Sequence, residues 1–201
     1  MPTFTVDWMH EPEQWAVHLV PKFKGRGADA LVIGALEGRS ACWLRENILT
    51  APLDRIVCVD PFQYKGICTE SEREAKHFNA THDLAAIHKR FVQNIQGVRV
   101  THFKMSSQAY FTSPTGRTAT FNIIEIDGSH VGLQPLLDLT QAWTRLRLGG
   151  VIIMDDIIWG GVSECGISGH WPRAALDAFL TCCPNCKVLY RNIIAILEKT
   201  E

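Results

Sequence analysis

The sequence lacks a long apolar run, an excess of charge of either sign and the basic-then-apolar start of a signal peptide. A membrane span needs about 20 consecutive apolar residues, and no run in this chain approaches that length. The formal net charge is −1 and no stripe of Lys and Arg stands out, which argues against nucleic acid or an anionic membrane as a partner. We therefore expect a cytoplasmic protein.

Internal repeats, low-complexity tracts and linkers are also missing, and 201 residues is the size of one domain. The hydrophobic share of 46% and the charged share of 20% are typical of a globular protein with a substantial core. We predict a single domain spanning residues 1–201. A homo-oligomer is compatible with the sequence, but nothing in the sequence indicates one.

Cysteine is present in an odd number, seven, and several of these residues fall inside apolar patterns, where Cys behaves as a small hydrophobe. Cys183 and Cys186 form the one pair with metal or redox spacing. A zinc site with four ligands would also need residues such as Cys165 and His170. We favour packing and a turn at the intervening Pro-Asn pair.

Five apolar segments of strand composition alternate with segments of helical period. The strand segments are residues 28–35, 54–60, 98–103, 121–127 and 150–155, and the helical ones are roughly 38–48, 71–95, 133–147 and 173–182. Continuous Val and Ile runs are typical of parallel strands buried on both faces, while the third strand alternates more and is expected nearer an edge. A helix at about 11–22 precedes them, and runs 187–191 and 193–199 predict a closing hairpin. The pattern predicts an α/β fold with a doubly wound, mostly parallel seven-stranded sheet and a C-terminal antiparallel hairpin.

Two glycines, Gly34 and Gly38, lie between the first strand and the first helix, where the backbone must turn and a ligand can approach closely. The start of that helix, with Ser40 in its first turn, offers free N–H groups to an anionic group. The Gly-x-x-x-Gly spacing differs from that of dinucleotide-binding crossovers, which disfavours a nicotinamide-dependent oxidoreductase. Asp60 ends the second strand and is placed to accept hydrogen bonds from ribose hydroxyls, although a strand-end cap before Pro61 is the alternative.

Three carboxylates, Asp127, Asp155 and Asp156, follow the fourth and fifth strands directly. Ligands of doubly wound sheets bind beyond the carboxyl ends of the strands, so these side chains should face one crevice. Two like unit charges 4 Å apart repel by about 4 kcal/mol at an effective dielectric of 20, so the group needs a cation or a proton. Oxygen ligands suit Mg²⁺ or another hard divalent cation, while helix capping is the alternative role.

His130 lies three residues after Asp127, in the turn that leaves the fourth strand. An imidazole titrates near neutrality and can accept the proton of a hydroxyl group, although a surface histidine without a role is the alternative. The other seven histidines have no comparable setting, and we assign them no role.

A glycine-rich segment follows the acidic pair, with Trp159 and glycines at 160, 161, 166 and 169. A segment of this length before the last helix is typical of a lid. Trp8, Trp159 and Trp171 are candidates for an acceptor pocket, with ordinary packing as the alternative for each.

Together the stretches VIGALEGRSA (32–41), IDGSH (126–130) and MDD (154–156) resemble the class I S-adenosylmethionine (SAM)-dependent methyltransferases. The resemblance runs from about Leu31 to the C-terminus and includes the PRAALDAFL helix (172–180). It implies that SAM is bound by its methionine part, its ribose and its adenine. The resemblance implies that Asp60 holds the ribose, that Phe62 lies near the adenine and that Asp127 also contacts the cofactor. The residues that it implies around the methionine part are Gly34, Ala35, Glu37, Gly38 and Ser40.

One stretch departs from the family pattern. In KMSSQA (104–109), Met105 and Ser106 stand where relatives have Gly and Glu, whereas Ser107 matches. We still expect residues 105–107 to contact the adenine.

The residue at position 130 distinguishes two branches of the family. Catechol-type relatives carry a lysine there, whereas sugar-modifying relatives similar to the macrolide deoxysugar O-methyltransferases carry a histidine. The resemblance therefore implies Mg²⁺-assisted O-methylation of a sugar hydroxyl on a small molecule or glycan, with His130 as the base beside Asp127. A catechol or other phenolic acceptor is the alternative, as is a cofactor-binding subunit without catalytic activity.

Overall fold

The computed structural model describes residues 1–5, 7–65, 69–97, 99–162 and 168–201. The first residue of the predicted third strand and five residues of the glycine-rich segment, 163–167 with Cys165 and Gly166 among them, lie outside the described residues.

Eight helices and nine strands occur in the described part of the chain. In chain order they are α1 (Pro12–Phe23), β1 (Asp29–Ile33), α2 (Arg39–Asn47), β2 (Arg55–Val59), α3 (Thr69–Thr81), α4 (Leu84–Asn94), β3 (Val100–Phe103), α5 (Ser107–Thr112), α6 (Pro114–Thr118), β4 (Phe121–Ile126), α7 (Gln134–Arg145), β5 (Leu146–Met154), β6 (Gly161–Val162), β7 (Ser168–Gly169), α8 (Trp171–Cys182), β8 (Cys186–Arg191) and β9 (Ala195–Lys199). None of these helices is long and apolar enough to cross a membrane.

Seven strands form one sheet in the order β3-β2-β1-β4-β5-β9-β8. The first five strands in this order are parallel, whereas β9 runs antiparallel to both β5 and β8. The predicted architecture is confirmed, including the closing hairpin and the edge position of the third strand. Strand order reverses between β1 and β4, so a crevice for ligands opens at their carboxyl ends.

Both faces of the sheet are covered by helices, as the continuous apolar strands predict. On one face, α1 and α2 contribute Trp15 and Trp43, whose rings meet edge-on at 5.5 Å. On the other, α7 and α8 contribute Trp143 and Phe179, with ring centroids 5.2 Å apart. Burial on both faces fixes the strands and holds their carboxyl ends at one edge.

The helical segments differ from prediction in two places. The predicted helix at 71–95 is two helices, because the Asp83 carboxylate accepts a hydrogen bond from the Ala86 N–H at 3.0 Å and begins a new helix there. The short helices α5 and α6 were not predicted. Each begins after a serine, Ser106 or Ser113, whose hydroxyl accepts a hydrogen bond from the first turn.

Candidate functional site

A cleft lies at the carboxyl end of β1, between β4 and the start of α2. It is lined by Trp8, Met9, Gly34, Ala35, Leu36, Glu37, Arg39, Ser40 and Asp127. Five of these residues, Gly34, Ala35, Glu37, Ser40 and Asp127, are ones that the sequence assigned to the cofactor. The structure therefore brings most of the predicted methionine-binding residues together.

The backbone at Gly34 approaches the end of β4 closely. Gly34 has φ +85°, and a Cβ atom at this position would lie 1.9 Å from the carbonyl oxygen of Asp127. The Asp127 N–H donates to the Ile33 carbonyl at 2.9 Å, which holds the two strand ends at this distance. Beside them, α2 follows Gly38 without a side-chain cap, so its first N–H groups remain suited to an anionic ligand.

Asp60 is fully buried at the end of β2 and organises two turns. Its carboxylate accepts hydrogen bonds from the N–H groups of Leu36 at 3.0 Å and Phe62 at 2.8 Å. The hydroxyl of Tyr64, a residue that the sequence did not single out, lies 3.3 and 3.5 Å from the two carboxylate oxygens. Burial raises the pKa of Asp60 despite these bonds. Asp60 thus caps the backbone N–H groups that follow β1 and β2, the alternative role that the sequence left open. It does so beside the place where the ribose is expected.

The residues predicted beside the adenine lie apart from the described cleft. The Phe62 ring packs in the core, 4.4 Å from the His88 ring and 5.4 Å from the Phe91 ring. Ser106 caps α5, while the buried Ser107 hydroxyl accepts a hydrogen bond from Gln134 at 3.2 Å. Met105, at the turn before this helix, packs against the core on the α7 side of the sheet.

The described N-terminal residues, 1–5 and 7–11, lie at the cleft, where Trp8 and Met9 line it. The N–H and hydroxyl of Thr5 donate to the Glu37 carboxylate at 2.7 and 2.6 Å, and Arg39 pairs with Asp7 at 3.1 Å. The Glu37 side chain is therefore committed to this segment and to Arg90. Before the predicted helix at about 11–22, sequence reasoning singled out only Trp8, because this stretch has neither helical nor strand period and reaches the site through long-range contacts.

Two groups of possible metal ligands lie beside the cleft, and among the described residues no one group holds all three predicted carboxylates. Asp155 is 2% exposed, and its N–H donates to the Ile126 carbonyl at 3.0 Å. Asp156 has φ +53°, a strained conformation for a residue with a Cβ, and its N–H donates to an Asp155 carboxylate oxygen at 2.7 Å. The donor atoms form two groups, each within 4.8 Å, namely Asp127 with His130 and Asp156, and His10 with Asp155 and Asp156.

Two histidines therefore face the carboxylates. His130 Nε2 lies 3.4 Å from Asp127 Oδ1 and 3.7 Å from Asp156 Oδ2, distances of a charge pair rather than of a strong hydrogen bond. His10 Nδ1 lies 3.0 Å from Asp155 Oδ1. The sequence assigned no role to His10, and the structure places it beside the acidic cluster. The contact joins residues 145 positions apart, and no local sequence pattern predicts it.

The ionisation of the cluster follows from its burial. Burial, with the neighbouring carboxylates, raises the pKa of Asp155 to about 7. Burial alone would lower the pKa of His130, but Asp127 and then Asp156 outweigh it and raise that pKa to about 9. Without a cation, the carboxylates hold His130 protonated. Oxygen donors this close together fit a hard divalent cation.

Two tryptophans continue the site beyond His130. The Trp159 ring lies 5.9 Å from the His130 ring and 6.1 Å from the Trp171 ring, both at moderate tilt. Trp8 instead lines the cofactor cleft and contacts His82 edge-on at 6.2 Å. Of the three predicted tryptophans, Trp159 and Trp171 therefore lie beside His130, whereas Trp8 lines the cleft.

The cysteine pair near the C-terminus lies away from this site. Cys183 and Cys186 pack against the core between α8 and β8, and the Cys186 N–H donates to the Cys183 carbonyl at 3.1 Å in a turn. Within the described ranges, no group of three possible metal ligands includes either cysteine. The contacts agree with the packing interpretation.

Asp138 on α7 supports the loop at residues 105–107, and its burial makes stability depend on pH. It accepts a hydrogen bond from Gln134 at 2.9 Å, and burial raises its pKa to about 6 from 3.8. Between these values the unfolded chain binds fewer protons, so this group makes the fold less stable as pH rises. Asn cannot titrate, so the unfolding free energy of Asp138→Asn should lack this fall. We expect the difference between the variant and the wild type to grow by about 3 kcal/mol, in favour of the variant, as the pH rises from 3.5 to 7.5. Denaturant unfolding of both proteins across this range measures the difference, and a difference independent of pH would contradict it.

Comparisons with known proteins agree with this geometry. Residues 31–157 match the family model of a methyltransferase domain. The O-methyltransferase TomG from Streptomyces achromogenes, solved with SAM, is 15% identical with a TM-score of 0.63 over 100% of this chain and 84% of its own. An O-methyltransferase from Bacillus cereus, solved with SAH, is 16% identical with a TM-score of 0.59 over 98% and 84%. An rRNA methylase from Streptococcus thermophilus is 9% identical with a TM-score of 0.56 over 98% and 100%.

These solved structures share the fold of this chain. The search of curated proteins finds no significant match. The family model covers more than half of the sequence, including β1, the acidic strand ends and His130. The chain therefore belongs to the methyltransferase-domain family and is an enzyme that transfers methyl groups.

Proposed function

We propose that the chain transfers the methyl group of SAM to a hydroxyl group of a small-molecule or glycan acceptor, with the help of a divalent metal ion. The observation that carries this proposal is the position of Asp127. Asp127 lines the cofactor cleft, and its carboxylate belongs to the acidic cluster with His130 and Asp156. A methyl donor and an activated hydroxyl placed on either side of this residue would be neighbours.

The cleft has the features that SAM requires. The close backbone turn at Gly34, the uncapped start of α2 and Ser40 suit its methionine part, and Asp60 fixes the turns at Leu36 and Phe62 on the wall where the ribose is expected. TomG and the Bacillus cereus enzyme, which share this fold, are solved with SAM and SAH. When bound, SAM supplies an electrophilic methyl group on a sulfonium.

The acidic cluster is proposed to hold Mg²⁺ or another hard divalent cation through Asp127, Asp155 and Asp156, with His10 beside them. A cation held there would lower the pKa of a substrate hydroxyl and fix its position. His130 accepts the hydroxyl proton at Nε2. Asp127 and Asp156 raise the pKa of His130, and a cation bound to them would offset their charge and leave the imidazole able to accept a proton.

A sugar hydroxyl, for example on a deoxyhexose, is the favoured acceptor. The aromatic pair Trp159 and Trp171 beside His130 offers faces on which a sugar ring can stack. A catechol or other phenol would use the same surface and is the second candidate. The formal net charge of −1 argues against RNA, although an rRNA methylase shares the fold.

A screen with labelled SAM tests the proposal. Deoxysugar glycosides, catechols and an rRNA fragment are each incubated with the enzyme in Mg²⁺ and, separately, after chelation with EDTA. We expect label in a sugar hydroxyl, loss of transfer by at least about 100-fold after chelation, and recovery when Mg²⁺ is restored.

The alternatives predict different results in the same screen. Full transfer in EDTA would remove the metal from the proposal but leave the methyltransferase intact. Label only in catechols would move the acceptor to the phenolic class. SAH binding by calorimetry without transfer to any acceptor would favour a cofactor-binding subunit without catalytic activity.

A further inference from the structure

Glu125 is a carboxyl group in the middle of the sheet. It lies on β4, in register with Val32 of β1 and Ile153 of β5, and is 1% exposed. Val32 and Ile153 belong to the apolar core under α1 and α2. An acidic side chain in these surroundings is costly unless its polar atoms find partners.

One partner of Glu125 reaches the cofactor cleft. The Ser40 hydroxyl donates to Glu125 Oε1 at 2.7 Å, whereas Oε2 has no hydrogen-bond partner among the described residues. Ser40 lies in the first turn of α2 and lines the cleft together with Gly34. Glu125 therefore contacts a residue that lines the cleft, although it does not line the cleft itself.

We propose that Glu125 is a positioning residue that fixes the Ser40 hydroxyl against the amino-acid end of SAM. The inference rests on SAM as the cofactor. A serine hydroxyl rotates freely about its Cα–Cβ bond unless a partner holds it, and in α2 its other available partners are backbone carbonyls. Glu125 accepts the hydroxyl proton in this hydrogen bond, so the Ser40 oxygen is left facing the cleft as an acceptor for the charged ammonium of the ligand.

A pair of ligands separates this role from general support of the core. SAH carries the amino-acid end, whereas 5′-methylthioadenosine has the same nucleoside and lacks that end. We expect Glu125→Leu to weaken SAH binding about tenfold, since a hydrogen bond to a charged group is lost, and to change methylthioadenosine binding less than about twofold. Glu125→Gln keeps an acceptor for Ser40 and should restore SAH binding to within about threefold of wild type. Isothermal titration calorimetry measures all three proteins.

Two further variants make the result decisive. Adding Glu125→Leu to Ser40→Ala should leave SAH affinity at the Ser40→Ala value, because the two residues act through one contact. Ile153→Val, on the same face of the next strand, should lower the melting temperature without changing the ratio of the two affinities.

Equal weakening of the binding of both ligands by Glu125→Leu, or additive losses with Ser40→Ala, overturns the inference. A wild-type chain that binds neither ligand overturns the proposed function itself, whereas intact SAH binding in Glu125→Leu overturns only the role of Glu125.

Discussion

Replacing His130 by alanine is expected to lower turnover by about 10²–10⁴-fold and to leave SAH affinity within about twofold of wild type. The imidazole lies 3.4 Å from Asp127 on the side of the acidic cluster, and it is not part of the cofactor cleft. Its removal therefore takes away a proton acceptor but no cofactor contact. Turnover at saturating SAM, with the acceptor found in the screen, measures the first effect and calorimetry the second.

A matched histidine and a conservative substitution complete the test of His130. His18 on α1 contacts Tyr190 at 6.3 Å, away from the acidic cluster, so His18→Ala should keep turnover within about twofold. His130→Lys restores a titratable nitrogen and should recover part of the loss. If His130→Ala turns over at the wild-type rate, another group takes the proton.

The fold was predictable because its signals are local and repeated. The central strands β1, β4 and β5 contain short continuous runs of Val, Ile and Leu, and segments of helical period lie between the strands, so these signals predict the same architecture. The division of residues 71–95 into two helices depends on one Asp83 cap, which competes with an otherwise unbroken pattern. The short helices α5 and α6 have too few residues to show a helical period of apolar residues, and their serine caps are the one sequence signal that indicates them.

The acidic half of the site was predictable for a different reason. Asp127 and Asp155 follow strands that the sequence marks clearly, and parallel neighbours bring their ends together whatever the loops do. No such rule places His10 or Tyr64, whose contacts depend on how an irregular segment and a turn fold over the sheet. Glu125 was hidden for the opposite reason, since it lies inside a strand whose composition indicates only core.

Gly34→Ala is expected to be the most damaging single substitution in the cofactor cleft. The new Cβ would lie 1.9 Å from the Asp127 carbonyl oxygen and 2.5 Å from its carbon, and neither is a flexible side chain that can move aside. The clash is removed only if the ends of β1 and β4 separate, and this separation breaks the hydrogen bond from the Asp127 N–H to the Ile33 carbonyl. We expect a loss of about 3–5 kcal/mol in unfolding free energy and no measurable SAH binding in the folded fraction.

Gly27→Ala separates the steric clash from the cost of the backbone conformation. Gly27 has φ +78°, close to the +85° of Gly34, but a Cβ there meets no atom within 4 Å. Its replacement should therefore cost about 1 kcal/mol, the penalty of a left-handed conformation alone, and leave SAH binding unchanged. The excess loss in Gly34→Ala then measures how firmly the ends of β1 and β4 are held together. Equal losses in the two variants would mean that the strand ends yield easily, and the crevice between them could not then hold a cofactor and an acidic cluster in fixed positions.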